Sequence, residues 1–346
     1  MRAQRIGFQP FDDPADVVRW MGAMQAQDYG QSLWAVASRL RRPSLDAVLA
    51  AVEQGRILRT WPMRGTIHWV PAEDAAWMVG LSGARTMAAA RTRQARLELD
   101  EATRERARSV LVAELSGGRR LSRPDVMALW TAAGISVDGQ RGYHLLWSLA
   151  HQATIAIGPM DGKQQTFVLL EEWAPAARQL SRTEALAELA NRYLQSHQPA
   201  TVRDFAWWAG ITLGDARAGC AATTFAEMSG RELLVAEPLL PLGGAGVQLL
   251  AGFDEFVLGY QRRGDVLDPE FADRVVPGNN GIFQPCVVAD GLVVGTWKRV
   301  LRKAAVDVSA ALFVDAAAVA DISAAADRYA GFLGLPLGEV SVTAVK

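Results

Sequence analysis

Gln25 and Gln27 stand one residue apart in the run Met24-Gln25-Ala26-Gln27-Asp28-Tyr29. Carboxamides are poor acids and bases, but their oxygens can fix and polarise a single water molecule. Such a pair suits a hydrolysis whose leaving group is already activated. In a helix, positions i and i+2 point about 200° apart; in extended backbone they share a face. The spacing predicts a helix over Pro14–Met24, with Val17, Val18, Met21 and Met24 apolar, so the pair falls at its frayed end. Two capping surface glutamines would read the same way.

A second polar constellation is Arg64-Gly65-Thr66-Ile67-His68-Trp69-Val70. If this run is extended, period two aligns Arg64, Thr66 and His68 on one face. A guanidinium, a hydroxyl and an imidazole in a row suit phosphate and sugar contacts. The alternative is a structural histidine, with Arg64 paired to an acid such as Glu73. Basic clusters at Arg39/Arg41/Arg42, Arg85/Arg91/Arg93/Arg96, Arg119/Arg120/Arg123, Arg262/Arg263 and Lys298/Arg299/Arg302/Lys303 are candidate backbone contacts. If about six of them reach phosphates, log K should fall with log salt at a slope of about -5. GxSxG, HExxH, P-loop and GxGxxG patterns are all missing from the sequence, and its four histidines are scattered, so no metal site or cofactor is expected.

The elements that would position these residues are legible in part. Glu101–Leu115 has helical periodicity and stops at Gly117-Gly118. Ser122-Arg-Pro124-Asp125 caps a second helix ending near Gly134. Gln140–Gln152 is a third, and strands at Thr154–Ile157 and Thr166–Leu170 flank a turn at Gly158–Lys163. Three helices followed by a hairpin is the order of a winged helix. The unit recurs: Thr201-x-x-Asp204-Phe205 through Gly210-Ile211 resembles Ser122-x-x-Asp125-Val126 through Gly134-Ile135. Glu184–Ser196 precedes that second copy, Leu213–Ala222 follows it, and Glu232–Ala236 with Val247–Ala251 is expected to form its wing. A fainter echo has Asp13-Pro14 through Trp20, a Ser44–Gln54 helix and a Thr66–Val70 strand. These repeats predict an α+β protein with winged helices at 1–98, 99–178 and 179–255, and a mainly β domain at 256–346.

Composition constrains the partners. At 346 residues and net charge -1, the chain suits several domains and has no global cationic field. All but four of its 36 basic residues are Arg, a side chain that grips phosphate bidentately, although a GC-rich genome yields the same bias. Cys220 and Cys286 form no CxxC, so neither a disulfide framework nor structural zinc is indicated. The start of the chain lacks an apolar signal region, and Pro238 and Pro241 interrupt the apolar run Leu233–Phe253. The expectation is a cytoplasmic protein without a membrane anchor.

Met24-Gln25-Ala26-Gln27-Asp28, Arg64-Gly65-Thr66-Ile67-His68, Phe253-Asp254-Glu255-Phe256 with Arg263, and Gly295-Thr296-Trp297-Lys298-Arg299 together resemble the AlkZ-like DNA glycosylase family. The resemblance spans almost the whole chain in order. It implies three tandem winged helices with a C-terminal β-barrel-like domain, and excision of N7-alkylated guanines, including bulky adducts and interstrand crosslinks. It also implies repair or protection of a producer of DNA-alkylating antibiotics. The family motif is Gln-x-Gln in one branch and Gln-x-Asp in the other; Gln25 and Gln27 place this chain with the first, and Asp28 is out of phase as an alternative base. The expected partner is alkylated double-stranded DNA, bound by a monomer without protein partners. Arg64, Thr66, His68, Arg262, Arg263, Lys298 and Arg299 are the expected DNA-binding or site-lining residues. No lysine neighbours the glutamines, which argues against a Schiff-base lyase. The opposing reading is a non-catalytic winged-helix regulator or drug-sequestering protein.

Overall fold

The computed structural model describes residues 1–228, 232–235, 246–314 and 317–344. The chain divides into two compact units, one built from 1–48 with 186–346 and the other from 49–185.

The first unit begins with α1 (Pro14–Met21), β1 (Met24–Gln25) and α2 (Tyr29–Ala37). Asp13 caps α1, with Pro14 in the first turn, where a missing N–H is tolerated. The chain then passes through α3 (Leu45–Glu53) into the second unit.

The second unit holds β2 (Ile57–Met63), β3 (Thr66–Pro71), α4 (Ala75–Ala89), α5 (Arg91–Arg96), α6 (Glu101–Leu115), β4 (Leu121–Ser122), α7 (Arg123–Ala132), α8 (Arg141–His151), β5 (Ile155–Asp161), β6 (Gln164–Leu169) and α9 (Leu170–Trp173). Its sheet runs β3-β2-β5-β6-β4. The expected helix–helix–helix–hairpin order is present as α6, α7, α8, β5 and β6. Ser122 and Asp125 form the reciprocal capping box that their spacing predicts. Leu111, Val126, Trp130, Leu146, Leu149 and Phe167 pack into one apolar core, and the Trp130 indole donates to Ala107 O at 2.9 Å. The predicted turn over Gly158–Lys163 is shorter than expected. Strand β5 continues through Pro159 and Met160 across a register shift, and the reversal occupies Gly162 and Lys163.

The chain then forms α10 (Arg182–His197), α11 (Val202–Ala209), α12 (Leu213–Ala221), β7 (Ala226–Glu227), β8 (Leu234–Val235), β9 (Val247–Leu250), α13 (Glu255–Leu258), α14 (Ala272–Val275), β10 (Cys286–Ala289), β11 (Leu292–Leu301), β12 (Val306–Leu312), α15 (Val319–Leu333) and β13 (Leu337–Ala344). Thr201 and Asp204 repeat the capping box, and Gly210 closes α11 in the left-handed region. The expected wing is not formed as predicted: β8 pairs with β7, while β9 pairs with β10. Residue 236 of that expectation lies outside the described residues.

The larger sheet of this unit runs β13-β12-β11-β10-β9. It is antiparallel except for β12 and β13, which run parallel and are joined through α15. The expected barrel-like closure does not appear: among the described residues the sheet is open, with β9 and β13 at its edges. The expected mainly β character is also tempered by α15, whose Ile322, Ala326, Tyr329 and Ala330 are buried at helical spacing.

Candidate active site

Helix α1 stops four residues before the first glutamine. Gly22 takes a φ of 78° and returns its N–H to Val18 O, a geometry that suits glycine. A Cβ there would also come within 3.3 Å of Arg192 Cβ. The expected helix to Met24 is therefore too long, and Gln25 sits in extended backbone rather than at a frayed helical end. That difference decides the geometry. With i and i+2 on one face, Gln25 Nε2 donates to Gln27 Oε1 at 2.8 Å. Gln25 is only 7% exposed, whereas Gln27 is open to solvent. Asp28 turns its carboxylate to the N-terminus of α2, where Oδ1 accepts from Gln31 N at 3.0 Å.

The pair stands on a buried polar footing. Gln25 N–H donates to Glu255 Oε1 at 3.0 Å. The Trp208 indole donates to Glu255 Oε2 at 2.9 Å, and His197 Nε2 lies 3.7 Å from the same oxygen. One residue earlier, Asp254 meets Arg39 in a two-pronged buried ion pair at 2.9 and 3.0 Å. Asp254 also caps α13 by accepting from Phe256 N at 2.9 Å. Arg39 donates further to Gln4 O and Ala35 O, which supplies the additional hydrogen bonds a desolvated pair requires. Gln31 accepts from Gly252 N at 3.1 Å, and the Trp34 indole donates to Leu249 O at 2.7 Å. Strand β9 and the residues just after it are thereby stitched to α2, which follows the glutamines. Arg39, expected among the DNA-backbone contacts, is instead fully buried on Asp254, and sequence reasoning gave Glu255 no such role. The available signal was an acid enclosed by Phe253, Phe256 and Val257, because an acid in an apolar run is buried only with partners.

The other expected site residues are distributed as follows. Arg64 is not on a strand: Arg64 and Gly65 have φ of 53° and 68° and form the two-residue turn between β2 and β3, as a tight hairpin demands. Its guanidinium still reaches His68, with Nη2 3.4 Å from Nε2. His68 is fully buried, and its Nδ1 lies 2.9 Å from Thr66 O. Arg263 donates to Val257 O at 2.8 Å and lies over the rings of Trp207 and Phe283, while Arg262 is exposed. Lys298 is exposed. Arg299 lies over Tyr329, its Cζ 5.7 Å from the ring centroid. It also comes within 3.2 Å of where a Cβ on Gly30 would stand, two residues beyond Asp28. Burial pushes the Tyr329 hydroxyl up to about 12, with Asp28 raising it and Arg299 opposing. Among the described residues no three His, Cys, Asp or Glu side chains group as metal ligands, and no helix is long and apolar enough to cross a membrane.

A carboxamide pair on a rigid buried base can order a water, but it offers no strong acid, base or nucleophile. On capped helices followed by a hairpin, that combination is compatible with a glycosylase acting on nucleic acid. Residues 18–332 match the family described as DNA glycosylase AlkZ-like. The chain belongs to that family and is a DNA glycosylase. It is similar to an interstrand DNA cross-link repair glycosylase from Streptomyces sahachiroi, at 28% identity with 86% of each chain covered. Its fold is similar to that of the solved Streptomyces sahachiroi DNA glycosylase AlkZ, with a TM-score of 0.79 and 24% identity over 99% of this chain and 97% of that one.

Proposed function

We propose that this protein is a monofunctional glycosylase that hydrolyses the N-glycosidic bond of N7-alkylguanine in double-stranded DNA, with bulky adducts and interstrand crosslinks among its substrates. The observation that carries this reading is the 2.8 Å bond between the amides of Gln25 and Gln27. That bond occupies one lone pair of Gln27 Oε1 and leaves further acceptor capacity on both amide oxygens. A water donating to them would be held with its oxygen free to attack C1′. Alkylation at N7 makes guanine a cationic, weakly bonded leaving group, so little general-acid help is required. Positioning and electrostatics then supply the rate. A crosslinked base cannot swing freely into a closed pocket as in ordinary base flipping, and an exposed Gln27 suits a lesion met in place.

Arg262, Lys298 and Arg299 serve the DNA backbone, as does Arg64, braced by His68 and Thr66. Arg263 positions rather than touches, since its guanidinium is engaged by Val257 and two aromatic rings. The β11–β12 hairpin ends in exposed Val300 and Leu301, flanked by Arg302 and Lys303. An apolar tip between cations suits a wedge in the minor groove. We read the domain plan as three winged helices over 1–98, 99–178 and 179–255, followed by the sheet-bearing segment 256–346. The enzyme acts as a monomer in DNA repair or in self-resistance to a DNA-alkylating antibiotic.

Base release from duplexes carrying small, bulky and crosslinked N7-alkylguanines tests this. The reading requires free alkylguanine and an intact strand with an abasic site. Tight binding with no release across the panel would contradict it and favour a regulator or a sequestering protein.

A further inference from the structure

Glu255 is 1% exposed and sits at the centre of a polar junction. Its two oxygens divide the work: Oε1 accepts the backbone N–H of Gln25 at 3.0 Å, and Oε2 accepts the indole N–H of Trp208 at 2.9 Å. The carboxylate therefore ties β1 to α11. His197 of α10 stands 3.7 Å away on the Oε2 side. The ring of His197 is itself fixed, with Nδ1 2.8 Å from Ser196 Oγ and stacking on Tyr193 at a centroid distance of 4.5 Å. Arg39 locks Asp254, the residue before Glu255, in a buried ion pair. Gln25 has no helix to hold it, because α1 ends at Met21 and is capped by Gly22.

We infer that Glu255 is a positioning residue for the hydrolysis, holding the Gln25 main chain so that the Gln25 and Gln27 amides converge on one water. The inference rests on the reading of those glutamines as the water-orienting pair. Only a carboxylate meets the demand made here, because both oxygens must accept. An amide has one acceptor oxygen and one donor NH2, so glutamine at 255 faces either Gln25 N–H or the Trp208 indole with a donor against a donor. Removing the indole N–H removes that conflict: with phenylalanine at 208, a glutamine at 255 can turn its oxygen to Gln25.

The test is single-turnover release of N7-methylguanine from a duplex by wild type, Glu255→Gln, Trp208→Phe and the combination. Affinity for a duplex with a tetrahydrofuran abasic analogue and hydrogen exchange at the Gln25 amide are measured alongside. Misplacing a water-orienting group by a fraction of an ångström costs on the order of tenfold to a hundredfold in rate. Glu255→Gln should show that loss at unchanged affinity, together with faster exchange at Gln25. Adding Trp208→Phe should restore most of the rate and the protection. If Glu255→Gln does not fold, Glu255→Asp, which keeps the charge but retracts it by about 1.5 Å, carries the same predicted loss. A wild-type rate in Glu255→Gln, or a double variant as slow as Glu255→Gln, would overturn the inference; the second result would assign Glu255 an electrostatic role instead. If wild type releases no base at all, the functional reading fails, while exchange at Gln25 still decides whether Glu255 is the brace.

Discussion

The chain carries two short polar strips with the same two-residue spacing, Gln25/Gln27 in one unit and Thr66/His68 in the other, and they use their polar atoms differently. In the first, the backbone is held by a buried carboxylate, and the side-chain amides meet each other with Gln27 facing solvent. In the second, His68 turns fully inward, and its ring nitrogens lie against Thr66 O and the Arg64 guanidinium. The first strip leaves acceptor capacity for a water; the second engages the imidazole in shaping a hairpin. Alternation of polar residues is thus a weak sign of a site. Where the backbone and side-chain partners come from separates the solvent-facing amide of Gln27 from the buried ring of His68.

The buried ion pair beneath the glutamines carries the largest expected effect. Asp254→Ala leaves Arg39 buried with its carboxylate partner gone, and unfolding should become easier by about 3–5 kcal/mol; denaturant titration reads it. His68→Ala removes a buried hydrogen-bonded ring and should cost about 1–3 kcal/mol. In that variant the rate of base release per bound complex should stay near that of wild type. A large loss of that rate at full stability would make the second strip catalytic and erase the contrast. Arg64→Ala should weaken DNA binding evenly across sequences and reduce the slope of log K against log salt by about one.

The smallest expected effect lies at another inward-facing imidazole. His151 Nδ1 lies 2.9 Å from Trp147 O, and burial lowers its pKa from 6.5. As pH falls, the unfolded chain takes up this proton first. The stabilisation from the neutral ring is therefore complete above about pH 6.5 and is lost as pH drops towards the folded value. Thermal melts between about pH 8 and about pH 5 should fall more steeply for wild type than for His151→Gln.

Much of this arrangement is legible in the residues. Ser122/Asp125 and Thr201/Asp204 announce two capped helices because the capping box is a local pattern, fixed by hydrogen bonds three residues apart. The glutamines announce themselves by type and spacing. Four features escape, two because they are settled at longer range and two because their local signal is weak. The end of α1 is decided by Gly22 against Arg192 rather than by the apolar positions, which continue to Met24. The wing is misassigned because β7 is only two residues long and carries no alternation. The helix α15 is hidden in an Ala-rich stretch that follows Val-rich strands. Glu255 is the most instructive omission: 230 residues separate it from Gln25, and only the fold joins them.

The most direct measurement of the central claim is single-turnover release of N7-alkylguanine by wild type and by Gln25→Ala/Gln27→Ala at matched DNA occupancy. Loss of the water-orienting amides should slow release by about a hundredfold or more, the scale of removing a preorganised polar group from a reacting centre, while affinity for DNA stays within about threefold because backbone contacts carry it. Release at the wild-type rate would show that the amide pair does not orient the attacking water.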